Sequence, residues 1–320
     1  MSFVSLPQAI QLLNAGEVVA FPTETVYGLG GRIDSEAAIK KIFAVKMRPF
    51  FDPLICHVSS TEQAKLYARE WPEVYDLFAK AFWPGPLTLI CKKTNAISPL
   101  ITSGLDTVGL RWPHHPMAQE LIAKVGVPLA APSANLFGKT SPTMSAHVER
   151  EFASQVPVLE GGASQVGLES TVLSAQWEND FWKIEIYRPG GISRTQIANI
   201  LSKSHVNFKI EVKESSASPG HLPAHYQPTQ PVLLLENIQF KDINLNEVCQ
   251  KLGRPSLKPV FLTLDQESYL AARNLYNDLR TLSNQENALI VVEKNSSQYG
   301  EDWEAIWDRL QRAATLKIKN

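Results

Sequence analysis

Three cysteines in 320 residues, Cys56, Cys91 and Cys249, are odd in number, widely separated and form no CxxC pair. They exclude a disulfide framework and read as the reduced thiols of a cytosolic protein. No charge of one sign dominates either. Lys and Arg number 31 against 32 Asp and Glu, a net charge of -1, whereas a protein that coats nucleic acid through bulk charge carries a basic excess. No apolar run approaches the roughly 18–20 residues that span a bilayer, and Met1–Ser5 lack the basic patch and apolar stretch of an export signal. A P-loop string is missing. Gly28-Leu-Gly-Gly starts like a dinucleotide fingerprint, yet Ile33 stands where the third glycine belongs. His114-His115 and His221…His225 are poor metal pairs, because Pro223 denies the second pair a common helix face.

What is present is an ordinary globular composition, 44% hydrophobic and 20% charged. The chain is longer than one compact core usually accommodates, so two domains are expected. Most of the 21 prolines precede Pro231, many beside short apolar runs, as in Phe21-Pro22, Arg48-Pro49, Trp83-Pro84, Trp112-Pro113, Ala131-Pro132 and Arg188-Pro189. Proline fixes φ and removes a donor, so each stops a strand and turns the chain into a loop. Such loops commonly carry chemistry. Strands are expected at 18–21, 54–58, 87–91, 108–111, 129–131, 170–174 and 183–187. Helices are expected at 37–46, where Ser35 caps and Ala38, Ile39, Ile42, Phe43 and Val45 make a broad apolar face, and at 117–124 and 195–202. Strands mixed with helices imply an α/β or α+β sheet.

From about Ser204 to Pro231 the pattern lapses into a polar, Ser- and Pro-rich stretch that reads as a linker. Strands at 232–235, 260–264 and 288–292, with helices at 266–282 and 299–314, then describe a small α/β unit whose continuous apolar strands suit a covered parallel sheet. The expected division is therefore 1–203, a linker 204–231 and 232–320.

Lys40 to Arg48 carries four cations and no acid. That suits a solvated face at a helix C-terminus, but Arg48-Pro49 leads into a strand containing His57, and Arg111 and Arg188 also lie at strand ends. Several arginines at one sheet edge suggest recognition of a polyanion, because guanidinium pairs bidentately with phosphate and carboxylate. Ser133 and Asn135, Ser141 and Thr143, and Ser170 and Thr171 supply hydroxyl or amide groups after strands, and equally suit turns, caps and strand starts. No Ser/His/Asp grouping is legible.

Together the strings Phe21-Pro-Thr-Glu-Thr-Val-Tyr-Gly-Leu-Gly30, Lys46-Met-Arg-Pro49, Pro53-Leu-Ile-Cys-His57-Val, Phe82-Trp-Pro-Gly-Pro-Leu-Thr88, Pro128-Leu-Ala-Ala-Pro-Ser-Ala-Asn135, Ser141-Pro-Thr143, Gly167-Leu-Glu-Ser-Thr-Val172 and Arg188-Pro-Gly-Gly191 resemble the Sua5/YrdC family of threonylcarbamoyl-AMP synthases. They follow the family's order over most of residues 5–200. Ser218-Pro-Gly220 and His225-Tyr226 resemble the linker of the long, Sua5-type members. The resemblance implies a twisted, open YrdC-like α/β sheet around a cationic concavity, with a smaller Rossmann-like C-terminal domain. It implies that L-threonine, bicarbonate or CO2, and ATP give threonylcarbamoyladenylate and pyrophosphate. A partner transferase would pass the threonylcarbamoyl group to tRNA for the t6A modification, so that RNA is met only indirectly and no membrane is involved.

Position by position, the resemblance places Arg48, Thr107, Ser133, Ser141, Arg188 and Tyr226 on ATP, with Lys46 near its phosphates. Asp52 joins this set where the family usually has Asn, as an acid that can accept from a ribose hydroxyl or adenine amine but repels phosphate. Thr25, His57, Arg111, Ala131 (through its backbone) and Ser170 would hold threonine. Mg2+ is expected on the triphosphate and not in a protein cage. Two other readings stand beside it: a non-catalytic RNA-binding module of the same fold, and a carbamoyl-transfer protein of hydrogenase maturation, which the lack of any CxxC disfavours.

Overall fold

A computed structural model describes residues 2–213 and 224–319. The expected linker residues Ser218-Pro-Gly220 and His221-Leu-Pro223 lie outside the described residues. Two units are distinguished, Met1–Phe137 with Pro142–His221, and Gly138–Ser141 with Leu222–Asn320.

In chain order the first unit begins with β1 (Phe3–Val4), α1 (Leu6–Asn14), β2 (Val19–Phe21), β3 (Gly28–Arg32), α2 (Glu36–Lys46) and β4 (Ile55–His57). It continues with α3 (Thr61–Tyr67), α4 (Val74–Phe82), β5 (Leu87–Lys92), β6 (Thr107–Arg111), α5 (Pro116–Val125) and β7 (Leu129–Ala130). It ends with α6 (Ser145–Phe152), β8 (Val158–Leu159), β9 (Thr171–Glu178), β10 (Phe181–Arg188), α7 (Arg194–Lys203) and β11 (Phe208–Val212). The strands form one mixed sheet in the order β1-β8-β2-β3-β7-β4-β6-β5-β9-β10-β11.

Alternation along the strands sorts the core into two layers. Val18 and Ala20 join Ile39, Ile42 and Phe43 of α2, Tyr75 and Phe78 of α4, and Ile197 and Leu201 of α7. Val19 and Phe21 instead face Ala9 and Leu13 of α1 and Leu121 and Ile122 of α5. Burying both faces explains why the central strands read as short apolar runs with little polar alternation.

Local signals account for the element ends. The Ser35 hydroxyl accepts from the Ala38 amide to open α2, and Met47 closes it in the left-handed region at φ 52°. Asn179 and Asp180, at φ 46° and 64°, make the two-residue turn between β9 and β10. Several segments of this unit differ from expectation. The Gly28-Leu-Gly-Gly string, for which no strand is expected, is strand β3; a Cβ on Gly30 would lie 2.7 Å from the Phe21 ring, so glycine permits the close packing of β3 on Phe21. Helices α1, α3, α4 and α6 and strands β1 and β8 are also outside expectation; α1 depends on a Ser5–Gln8 capping box, and the others span too few residues to declare a period. Within the expected linker, residues 208–212 pair in parallel with β10; five residues of Phe-Lys-Ile-Glu-Val alternation suffice for an edge strand.

The second unit contains β12 (Val232–Glu236), α8 (Leu245–Lys251), β13 (Lys258–Phe261), α9 (Ser268–Leu282), β14 (Ala288–Lys294), α10 (Glu301–Ala313) and β15 (Leu316–Lys319). Its sheet, β13-β14-β12-β15, is parallel throughout. Leu233, Leu235, Leu289 and Val291 pack with Val248 and Cys249 of α8 on one face. Among the described residues no helix is long and apolar enough to cross a membrane.

Candidate active site

Parallel pairing of β4 with β6 sets His57 opposite Arg111. Antiparallel pairing of β6 with β5 sets Leu110 opposite Leu89, which brings Arg111 beside Thr88. Parallel pairing of β5 with β9 sets Leu87 opposite Thr171. In β10 a bulge lets Arg188 sit opposite Val172, re-aiming that side chain as bulges do. Four strands thereby present His57, Arg111, Ser170 and Arg188 at one end of the sheet.

Hydrogen bonds tie this group together. The Ser170 and Thr88 hydroxyls are 2.7 Å apart. Arg188 donates from Nε to the Ser170 carbonyl and from Nη2 to its hydroxyl, each at 3.1 Å. Arg111 Nε donates to the Gly85 carbonyl at 3.3 Å, and Arg111 Nη2 lies 2.8 Å from Glu24 Oε1. Glu24 stands on the β2–β3 loop beside Thr25, whose hydroxyl is 2.9 Å from that of Thr23. Backbone approach is close here: a Cβ on Gly190 would lie 2.4 Å from the Glu169 carbonyl oxygen. Burial, followed by the Arg111 charge, pushes the His57 pKa down to about 3, so its imidazole is neutral at neutral pH.

A second group gathers where α2 hands over to β4. Lys46 is buried and its Nζ donates to the carbonyls of Ser133, at 2.6 Å, and Asn135. Burial, and next the Arg48 charge, hold its pKa well below the ordinary lysine value. Arg48 Nη2 lies 2.8 Å from Asp52 Oδ2 with both side chains buried. The same guanidinium donates to the Asp52 and Pro53 carbonyls and lies over the Phe137 ring. Ala131 donates its amide to Ile55 at 2.9 Å. Thr107 opens β6, four residues and about 13 Å from Arg111 along the strand.

Ser141 and Tyr226 belong to the second unit. There Arg280 donates to the Thr140 and Ser141 carbonyls, and the Thr140 hydroxyl donates to the Tyr226 carbonyl at 3.1 Å. Tyr226 stacks on Tyr276 and lies under the Arg309 guanidinium.

Sequence reasoning expects Arg48, Arg111 and Arg188 at one sheet edge. Arg111 and Arg188 share that end, but Arg48 lies before β4, at the other end of that strand. Arg48 and Arg111 each carry a buried carboxylate within 2.8 Å. Burying an uncompensated charge is costly, which is the physical reason for the pairing. Glu24 and Thr88 are the site residues that sequence reasoning missed. Both sit inside quoted motif strings, and an acid flanked by Thr23 and Thr25 in an otherwise apolar segment was the available signal.

A family model described as "Telomere recombination", for the Sua5, YciO and YrdC proteins, matches residues 11–190. A second, "Threonylcarbamoyl-AMP synthase, C-terminal domain", matches residues 192–315. The threonylcarbamoyl-AMP synthase of Pyrococcus abyssi is 34% identical over 97% of this chain and 94% of its own length. That of Bacillus subtilis is 42% identical over 78% of this chain and 72% of its own length. The crystal structure of P. abyssi Sua5 complexed with L-threonine superposes with a TM-score of 0.83, at 33% identity, over 98% of this chain and 96% of that one. Over both units, in sequence and in backbone, this chain belongs to the Sua5/YrdC family of threonylcarbamoyl-AMP synthases.

Proposed function

We propose that the chain joins L-threonine, bicarbonate or CO2, and ATP into L-threonylcarbamoyladenylate with release of pyrophosphate, which makes it a nucleotidyltransferase. The observation that carries this is the row of His57, Arg111, Ser170 and Arg188 at one sheet end, in a chain whose relatives bear the synthase name over nearly its whole length. Arg188 of the ATP set donates to Ser170 of the threonine set, so the two reactants would meet there.

Threonine's amine must be neutral to attack CO2, and the carbamate oxygen formed then attacks the α-phosphorus. That unites two anions. Fixed guanidiniums and hydroxyls offset their repulsion, and positioning supplies much of the remaining acceleration. Arg111 is assigned to the threonine carboxylate, with Thr25, His57, Ser170 and the Ala131 backbone around it. Arg48, Thr107, Ser133 and Arg188 are assigned to ATP. Lys46, tied to two carbonyls, would brace the Ser133 loop beside the phosphates. Asp52 is wholly buried against Arg48, so its role in ATP binding would pass through that guanidinium. For Ser141 and Tyr226 the assignment to ATP rests on the resemblance. Asp52 and Glu24 are each engaged by an arginine, which favours Mg2+ on the phosphate oxygens, where it would neutralise charge on the triphosphate. The adenylate is labile, so a transferase that consumes it for tRNA would be the next partner.

The test is mass-spectrometric detection of the adenylate, with each of the three substrates omitted in turn. Product that persists without threonine or bicarbonate rules the proposal out.

A further inference from the structure

Glu24 is a buried carboxylate beside Arg111 that the threonine set above does not use, and the fold holds it rigidly. The Val166 amide donates to its carbonyl at 2.7 Å and the Ser164 hydroxyl to the Thr23 carbonyl at 3.0 Å. The His114 amide donates to its Oε2 at 3.1 Å. Its side chain is 6% exposed and that of Arg111 5%.

The contact between the two is an ion pair without an aligned hydrogen bond. Glu24 Oε1 and Arg111 Nη2 lie 2.8 Å apart, yet neither atom has a hydrogen-bond partner among the described residues. Buried polar atoms are nearly always hydrogen-bonded, and leaving one unmade is costly. A buried ion pair kept for stability alone is a weak device, since apolar replacements are often neutral or better. An acceptor and a donor, adjacent, fixed and both with hydrogen-bonding capacity to spare, match a ligand that carries an ammonium and a carboxylate on one carbon.

We propose that Glu24 receives the α-ammonium of threonine while Arg111 takes the carboxylate, so that the pair recognises the zwitterionic head group. This rests on the reading of the chain as a threonine-consuming synthase. His57 stands opposite Arg111 on the neighbouring strand and, being neutral, adds no cation to repel the ammonium. Glu24 thereby sets specificity: it selects an amine over a hydroxyl at the α-carbon. A site built to hydrogen-bond one group discriminates strongly against an analogue that lacks it, because its buried partner is then left unpaired.

The test uses the purified full chain and two probes, L-threonine and the 2,3-dihydroxybutanoate of the same configuration, in which a hydroxyl replaces the amine. Pyrophosphate release gives KM for threonine and ATP, and the dihydroxy acid is measured as a competitive inhibitor. Glu24→Gln is expected to raise the threonine KM about 10- to 100-fold, the range of one charge-assisted hydrogen bond. It should leave the ATP KM within about threefold and the inhibition constant of the dihydroxy acid nearly unchanged. An equal loss for both probes means that Glu24 only steadies Arg111, and overturns the proposal, as does an unchanged threonine KM. Should Glu24→Gln not fold, calorimetry on the wild-type chain decides: binding of the dihydroxy acid as tight as that of threonine overturns it. A wild-type chain that binds threonine but releases no pyrophosphate condemns the synthase reading and leaves the calorimetric comparison of the two probes standing.

Discussion

In the first unit buried ion pairs lie at and beside the ends of the central strands. Arg111 pairs with Glu24 and Arg48 with Asp52, and His57 and Ser170 are buried as well. In the second unit the two central strands run Val-Leu-Leu-Leu and Ala-Leu-Ile-Val-Val, buried throughout. Both are α/β sheets covered by helices, yet the charges that end strands in the second unit, Glu236, Glu293 and Lys294, are only partly buried, whereas those of the first are buried. Desolvating those groups costs free energy that apolar side chains at the same places would not. The excess is expected where a site must present fixed charges to reactants, and the buried residues of the second unit's two central strands are apolar.

Substitution can break or sharpen this contrast. Arg111→Ala is expected to act most strongly, because it leaves Glu24 buried without a counter-charge. The loss should be about 3–5 kcal/mol, with the threonine requirement raised far more than that for ATP. Denaturant unfolding and substrate titrations check both, and equal effects on the two substrates would remove Arg111 from the carboxylate. In the second unit, Leu289→Ala should cost about 2–5 kcal/mol through a core cavity, read from its unfolding midpoint. Gly190→Ala should cost about 1–3 kcal/mol, since its Cβ meets the backbone of residues 169–171, and should lower turnover by disturbing Ser170.

The pH dependence follows from His57. Its folded pKa of about 3 lies below the ordinary 6.5, so between these values the unfolded chain binds a proton that the folded one does not. Stability therefore falls as pH drops from about 6.5 toward 3, and His57→Asn should flatten that limb in thermal melts at stepped pH. Asp52→Asn should destabilise the fold by removing the counter-charge of buried Arg48. It should nonetheless have the smallest effect on substrate use, an ATP KM within about threefold of the original, because an amide still offers Arg48 an acceptor. A much larger change would mean that the charge itself is used.

The elements most legible in the sequence were those with a continuous pattern. Val232–Glu236, Ala288–Lys294, Ser268–Leu282 and Glu301–Ala313 lie within a few residues of expectation, since runs of Val, Leu and Ile or a broad amphipathic face leave few alternatives. Strand β3 escaped because three of its five residues are glycine, and glycine carries no periodicity. Strand β15, Leu316–Lys319, is too short to declare a period. At the site, His57, Ser133, Ser170 and the arginines stood out beside prolines and inside motif strings. Glu24 did not, because its partner Arg111 is 87 residues away and the pairing exists only once β2, β4 and β6 share a sheet.

The sequence by itself determined which segments become strands and helices, where prolines end them, and the family to which the chain belongs, because these depend on local periodicity and on motif order. Only the tertiary structure decided which charges meet. Strand register set His57 beside Arg111, the β10 bulge aimed Arg188 at Ser170, and burial demanded a carboxylate for Arg111 and for Arg48. Coulombic and desolvation energies depend on distances of a few ångströms between residues remote in the chain, and no local pattern encodes those.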